Sequence, residues 1–142
     1  YRKYCLPHIT DYAGAANAHG RDLFLHMCGF LKNLLPDLAT LPVRGFEAFT
    51  SPPVANTRLI DGRLACPDKC IIGGTNAELW THGADYIIAE IERDMDALPH
   101  HRGLVISSAG EMPPPCRPET IKAVCDRVKA YPLRMKAGAA TA

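Results

Sequence analysis

A chain of 142 residues with 47% hydrophobic and 22% charged content is long enough to bury a core as one soluble globular domain and too apolar to be disordered. Its formal charge of +1, with Lys and Arg mixed among Asp and Glu, leaves no basic stripe and argues against nucleic acid as a partner. No apolar run approaches the roughly 20 residues that cross a bilayer, and the N-terminus lacks the charged-then-apolar order of a signal segment, so no membrane partner and a cytoplasmic location are expected.

The first stretch, about 5 to 19, is rich in Ala and ends at His19-Gly20, as a glycine-capped helix does. An apolar strand is predicted over about 22 to 28, followed by a helix in which Phe30, Leu31, Leu34, Leu35 and Leu38 recur at helical spacing. Pro36 marks a kink or an early stop in that helix. Gly45-Phe-Glu-Ala-Phe-Thr reads as a second strand, Ser51-Pro52-Pro53 as the loop beyond it, and Leu59-Ile60 as a short helix that Asp61-Gly62 closes. Cys70-Ile-Ile-Gly-Gly is a third strand, and Ala84, Ile87, Ile88, Ile91 and Met95 form one face of a helix over about 84 to 97. A fourth strand, Gly103-Leu-Val-Ile-Ser-Ser, leads into the loop Gly110-Glu-Met-Pro-Pro-Pro. Pro118 then opens a last helix that buries Ile121, Val124, Cys125 and Val128. A helix followed by four strand-then-helix units predicts an α/β fold with parallel strands and right-handed crossovers, over residues 1–136, with a frayed tail at 137–142.

Side chains two apart on a strand share a face, so Phe24, His26 and Cys28 point one way while Leu23, Leu25 and Met27 point the other. An imidazole and a thiol then converge at the carboxyl end of a strand, where α/β folds place their chemistry, and both are zinc ligands. The six cysteines, at 5, 28, 66, 70, 116 and 125, form no compact disulfide framework, and reduced thiols are expected. Glu47 alternates with apolar neighbours on the second strand, and either points into the mouth of the fold or turns outward against Arg44. Glu111, on the loop leaving the fourth strand, is expected to line the site. Gly73 and Gly74 either make room for a ligand or serve a tight turn. Trp80 and His82 either contact a flat ligand or pack, and His100 and His101 are expected in solvent on the opposite side.

Taken in order, His26-Met-Cys-Gly, Leu34-Leu-Pro-Asp-Leu, Gly45-Phe-Glu, Ile71-Ile-Gly-Gly and Ile106-Ser-Ser-Ala-Gly-Glu-Met-Pro-Pro resemble the C-terminal half of the uroporphyrinogen decarboxylase and cobalamin-dependent methyltransferase superfamily. The resemblance implies a (β/α)8 TIM barrel of which this chain supplies the last four strands. A whole barrel takes about 250 residues, so the expected partner is the missing N-terminal half-barrel or a second copy of the chain. The His-x-Cys-Gly motif resembles the zinc-dependent methyltransferase branch, which implies a metal held by His26 and Cys28. It also implies a corrinoid as methyl carrier, a corrinoid protein as partner, and a small thiol as substrate. Where that branch carries a second Cys, this chain has Gly110. Glu111 is then the expected third ligand, or Cys116 if the proline loop folds back. Glu111 and Glu47 are the candidate catalytic carboxylates, and Gly73 and Gly74 the candidate corrinoid contacts. The decarboxylase branch of the same superfamily implies a different reaction, loss of carboxylate from a tetrapyrrole without a cofactor. A third reading is a non-catalytic fragment or assembly partner.

Overall fold

In a computed structural model, which describes residues 1–135, four short strands form one parallel sheet in sequential order: β1 Phe24–His26, β2 Gly45–Phe49, β3 Cys70–Gly74 and β4 Leu104–Ser107. Parallel neighbours need long crossovers, and helices supply them. Helix α1 (Leu6–Ala18) precedes the sheet, α2 (Leu35–Thr40) joins β1 to β2, α3 (Leu59–Ala65) joins β2 to β3, α4 (Ala84–Asp96) joins β3 to β4, and α5 (Pro118–Ala130) follows β4. The expected domain end at 136 and the tail 137–142 lie outside the described residues.

Register assigns the two faces of the sheet. Leu25, Phe46, Ile71 and Leu104 stand side by side across the four strands and pack into the main core with Leu35, Leu38 and Leu59 from α2 and α3. A second cluster, Leu79, Trp80, Ile87, Ile91, Met95 and Val124, joins α4 to α5 against Leu104 and Ile106. All of this apolar burial lies on the helix side. On the other face Phe24 is 39% and Val105 53% exposed, although both are large apolar side chains within strands. A sheet face of that composition is normally covered, and among the described residues nothing covers it. The two edges, β1 and β4, are likewise unpaired among the described residues.

Several local expectations are corrected. Pro36 neither kinks nor stops a helix: it stands in the first turn of α2, where its missing N–H costs nothing, after a 3-10 turn at Lys32–Leu34. Gly62 lies inside α3 rather than closing it, because a Cβ there would stand 2.6 Å from the Phe49 ring. Cys125 is exposed, one position past the face of α5 that buries Val124. His100 and His101 are buried, at 7% and 3% exposure, and Tyr131 and Arg134 fold back onto His101. His101 donates from Nε2 to the Met95 carbonyl at 2.9 Å and accepts at Nδ1 from the Arg134 amide, while Tyr131 meets its ring edge-on.

Candidate functional site

The alternation expected along residues 23 to 28 is present: Phe24, His26 and Cys28 are exposed, while Leu23, Leu25 and Met27 turn toward the core. The strand itself is shorter than expected, because only Phe24–His26 pair with β2. His26 stands in register with Glu47, and in a parallel pair that puts both side chains on the same face one strand apart. Their contact is direct, with His26 Nδ1 to Glu47 Oε2 at 2.5 Å. A carboxylate oxygen accepts, so Nδ1–H donates in this contact and Nε2 is left for another partner. The Met27 amide donates to the Glu47 carbonyl at 2.8 Å, which ties the chain leaving β1 to β2 at this level.

The His26 and Glu47 side chains are 68% and 40% exposed, so their mutual attraction contributes little to folding. Arg44, the alternative partner for Glu47, instead faces Asp22 at 3.9 Å. Glu47 is thus turned to the uncovered face, one of the two orientations the sequence left open.

Past Glu47 the strand is irregular. Ala48 has φ +56°, a left-handed backbone that residues other than glycine rarely adopt, and the register with β3 shifts between Phe46 and Phe49. Phe49 is thereby sent into the core at 0% exposure. Thr50, equally buried, donates its hydroxyl to the Ala48 carbonyl at 2.8 Å and lies 3.8 Å from Cys28 Sγ. Sequence reasoning missed Ala48 and Thr50. A small residue followed by Phe-Thr-Ser-Pro at a strand's exit was the available signal, and it reads equally well as an ordinary loop.

The other expected site residues are placed differently. Gly73 and Gly74 have positive φ values of +141° and +86°, but a Cβ on Gly73 would stand 2.6 Å from the Phe49 backbone, and one on Gly74 2.9 Å from Leu59. The space a side chain would take at these positions is filled by β2 and α3. Trp80 is buried and donates from Nε1 to Thr75 Oγ1 at 3.0 Å, so it packs; His82 pairs with Glu78 at 3.1 Å. Glu111 is exposed on the loop after β4.

Among the described residues no three His, Cys, Asp or Glu side chains come together as a group able to hold a metal ion. The expected set of His26, Cys28 and Glu111 is therefore not assembled among the described residues. His26 Nδ1 is taken by Glu47 and its Nε2 is left open, so His26 and Cys28 offer two of the four ligands a zinc centre takes.

A family model described as "Uroporphyrinogen decarboxylase (URO-D)" matches residues 1–131. The chain belongs to the uroporphyrinogen decarboxylase family. Among solved structures, a methyltransferase from Methanosarcina mazei superposes with a TM-score of 0.71 at 19% identity, over 92% of this chain. The chain spans only 37% of that methyltransferase's length. No curated protein matches it by sequence. In this member of the uroporphyrinogen decarboxylase family, four parallel strands alternating with helices form part of a (β/α)8 barrel. The ends of β1 and β2 that carry His26, Cys28 and Glu47 lie on its carboxyl-terminal rim, where barrel enzymes keep their active sites.

Proposed function

We propose that the complete protein is a methyltransferase of this family, moving a methyl group between a corrinoid and a small thiol at the ends of β1 and β2. The observation that carries this reading is the His26–Glu47 contact beside Cys28 on one uncovered face. A thiol attacks a methyl group as its thiolate, so the site must remove a proton, and an imidazole backed by a carboxylate does so. The methylated corrinoid supplies an electrophilic methyl group, delivered by a corrinoid protein that docks at the open rim. The neighbour's description as a methyltransferase supports the reaction class.

The free edges of β1 and β4 are closed in this reading by the other half of the barrel, contributed either by the N-terminal half or by a second copy. A groove of about 310 Å³ between β4 and α5, lined by Leu104, Val105, Ile106, Val124 and Val128, offers apolar surface for that contact. Sizing the chain by itself tests this: a stable monomer contradicts the need for a partner half.

The second reading, loss of carboxylate from a tetrapyrrole, is favoured by the description of the family model that matches. One experiment separates them. The complete protein is incubated with methylcobalamin and a small thiol, and in parallel with uroporphyrinogen, and thioether and decarboxylated tetrapyrrole are followed by mass spectrometry. Thioether formation that falls by about a hundredfold or more in His26→Ala supports methyl transfer. Decarboxylation without thioether refutes it.

A further inference from the structure

The row of the open face that carries His26 and Glu47 continues across the sheet and changes character on the way. Gly45 pairs with Cys70 and Phe46 with Ile71, so Ile72, the next position on β3, stands level with Glu47 where the register begins to shift. Ile72 in turn pairs with Val105. In this row β1 and β2 contribute an imidazole and a carboxylate, while β3 and β4 contribute two aliphatic side chains. Ile71 and Leu104, their neighbours in sequence, turn to the helix side and join the core. Ile72 and Val105 belong to neither apolar cluster: Ile72 is half-buried and Val105 exposed. Phe24, two residues before His26 on the same face, adds an exposed aromatic ring below the charged pair.

Ile72 is the better placed of the two aliphatic residues. Strand β3 is an inner strand, paired on both sides, so closing the barrel at β1 and β4 adds no strand beside it. Gly73 and Gly74 follow, so no later side chain of β3 stands between Ile72 and the carboxyl-terminal rim. Apolar surface in that position is stabilised by whatever apolar group covers it, and its place in one row with His26 and Glu47 makes it a continuation of the candidate site. Resting on the methyl-transfer reading, we infer that the thiol taken by this site carries a short apolar chain, and that Ile72, continued by Val105, sets the chain length accepted. The sulfur lies toward β1 and β2, and the chain runs along the row over β3 and β4. The ligand class is an alkyl thiol with no charged or hydroxyl group beyond its sulfur.

The test measures binding first and turnover second. The complete protein, without corrinoid, is titrated with methyl propyl sulfide, methyl butyl sulfide and 2-(methylthio)ethanol, the thioethers that methyl transfer to alkyl and hydroxyl thiols would yield, and dissociation constants are read by NMR. Methyl propyl sulfide, which has the shape of 2-(methylthio)ethanol without its hydroxyl, is expected to bind about tenfold more tightly. Ile72→Val removes one methylene and moves the preference toward methyl butyl sulfide by about fourfold. Ile72→Thr keeps the shape of valine and lowers the ratio of alkyl to hydroxyl binding below that of Ile72→Val. Circular dichroism checks that each variant folds, and Val105→Thr, at a more exposed position, makes the same comparison if Ile72→Thr does not. Equal binding of methyl propyl sulfide and 2-(methylthio)ethanol, or a chain-length preference unmoved by Ile72→Val, overturns the inference. With methylcobalamin present, kcat/KM for the corresponding thiols follows the same order, and equal values for alkyl and hydroxyl thiols overturn it as well. Selective binding by a protein that makes no thioether from any thiol leaves the apolar subsite standing and removes the methyl-transfer reading.

Discussion

Replacing Gly73 by Ala separates a glycine that serves packing from one that serves a ligand. Its φ of +141° lies where an L side chain is strained, at a cost of about 1–3 kcal/mol. The added Cβ would also stand 2.6 Å from both the amide nitrogen and the carbonyl oxygen of Phe49. Backbone atoms in a paired strand cannot swing aside as a side-chain tip does, so relief requires β2 and β3 to move apart. Overpacking of this kind costs a further ~1–3 kcal/mol, and the two effects together place Gly73→Ala at about 2–6 kcal/mol of lost stability. That is a large share of the 5–15 kcal/mol typical of a folded domain, roughly. Gly74→Ala is the internal control: its added Cβ meets only the branched end of Leu59, at 2.9 Å, and the expected loss is about 1–2 kcal/mol. Urea unfolding of the complete protein, followed by far-ultraviolet circular dichroism, reads both as midpoint shifts. A Gly73→Ala midpoint equal to that of the unaltered protein, with impaired ligand binding, refutes the packing argument and restores the ligand role.

Arg63 is 1% exposed and donates to the carbonyls of Pro67, Lys69 and Arg102 at 2.8–2.9 Å, which fastens α3 to the chain entering β3 and β4. Arg63→Met keeps much of the volume but strands those acceptors, and should cost about 3 kcal/mol in the same urea assay. Asn76 donates to Ser51 Oγ and the Pro52 carbonyl and accepts from the Leu79 amide, joining the loops after β2 and β3; Asn76→Leu should cost about 2–3 kcal/mol. Burial, and then the charges of Arg63 and Arg102, outweigh Asp68 and hold the His100 imidazole below its ordinary 6.5. The unfolded chain therefore binds the extra proton first. Stability should be highest above that value and fall as pH drops through it toward the lower folded value, and His100→Gln should flatten the difference between urea midpoints at about pH 8 and about pH 5.5.

Periodicity in the sequence determined the order of elements, the parallel sheet they imply, and the face on which Phe24, His26 and Cys28 stand, because strand alternation and helical spacing are local properties of backbone geometry. The same locality limited it. Nothing near His26 says which strand lies beside it, so its pairing with Glu47, 21 residues on, needed the register of β1 against β2. Gly73 and Gly74 look alike in sequence whether the space above them holds a ligand or another strand, and only the position of Phe49 and Leu59 decided it. His100 and His101, read as solvated next to an Arg, are buried by tertiary contacts, His101 by a segment that follows it by about thirty residues. The expected metal set meets the same limit: residue types and strand ends were legible, but which of those side chains come together was not. The sequence by itself thus determined which residues share a face; tertiary structure alone decided which faces meet, because contacts between distant segments are set by packing and register rather than by neighbours along the chain.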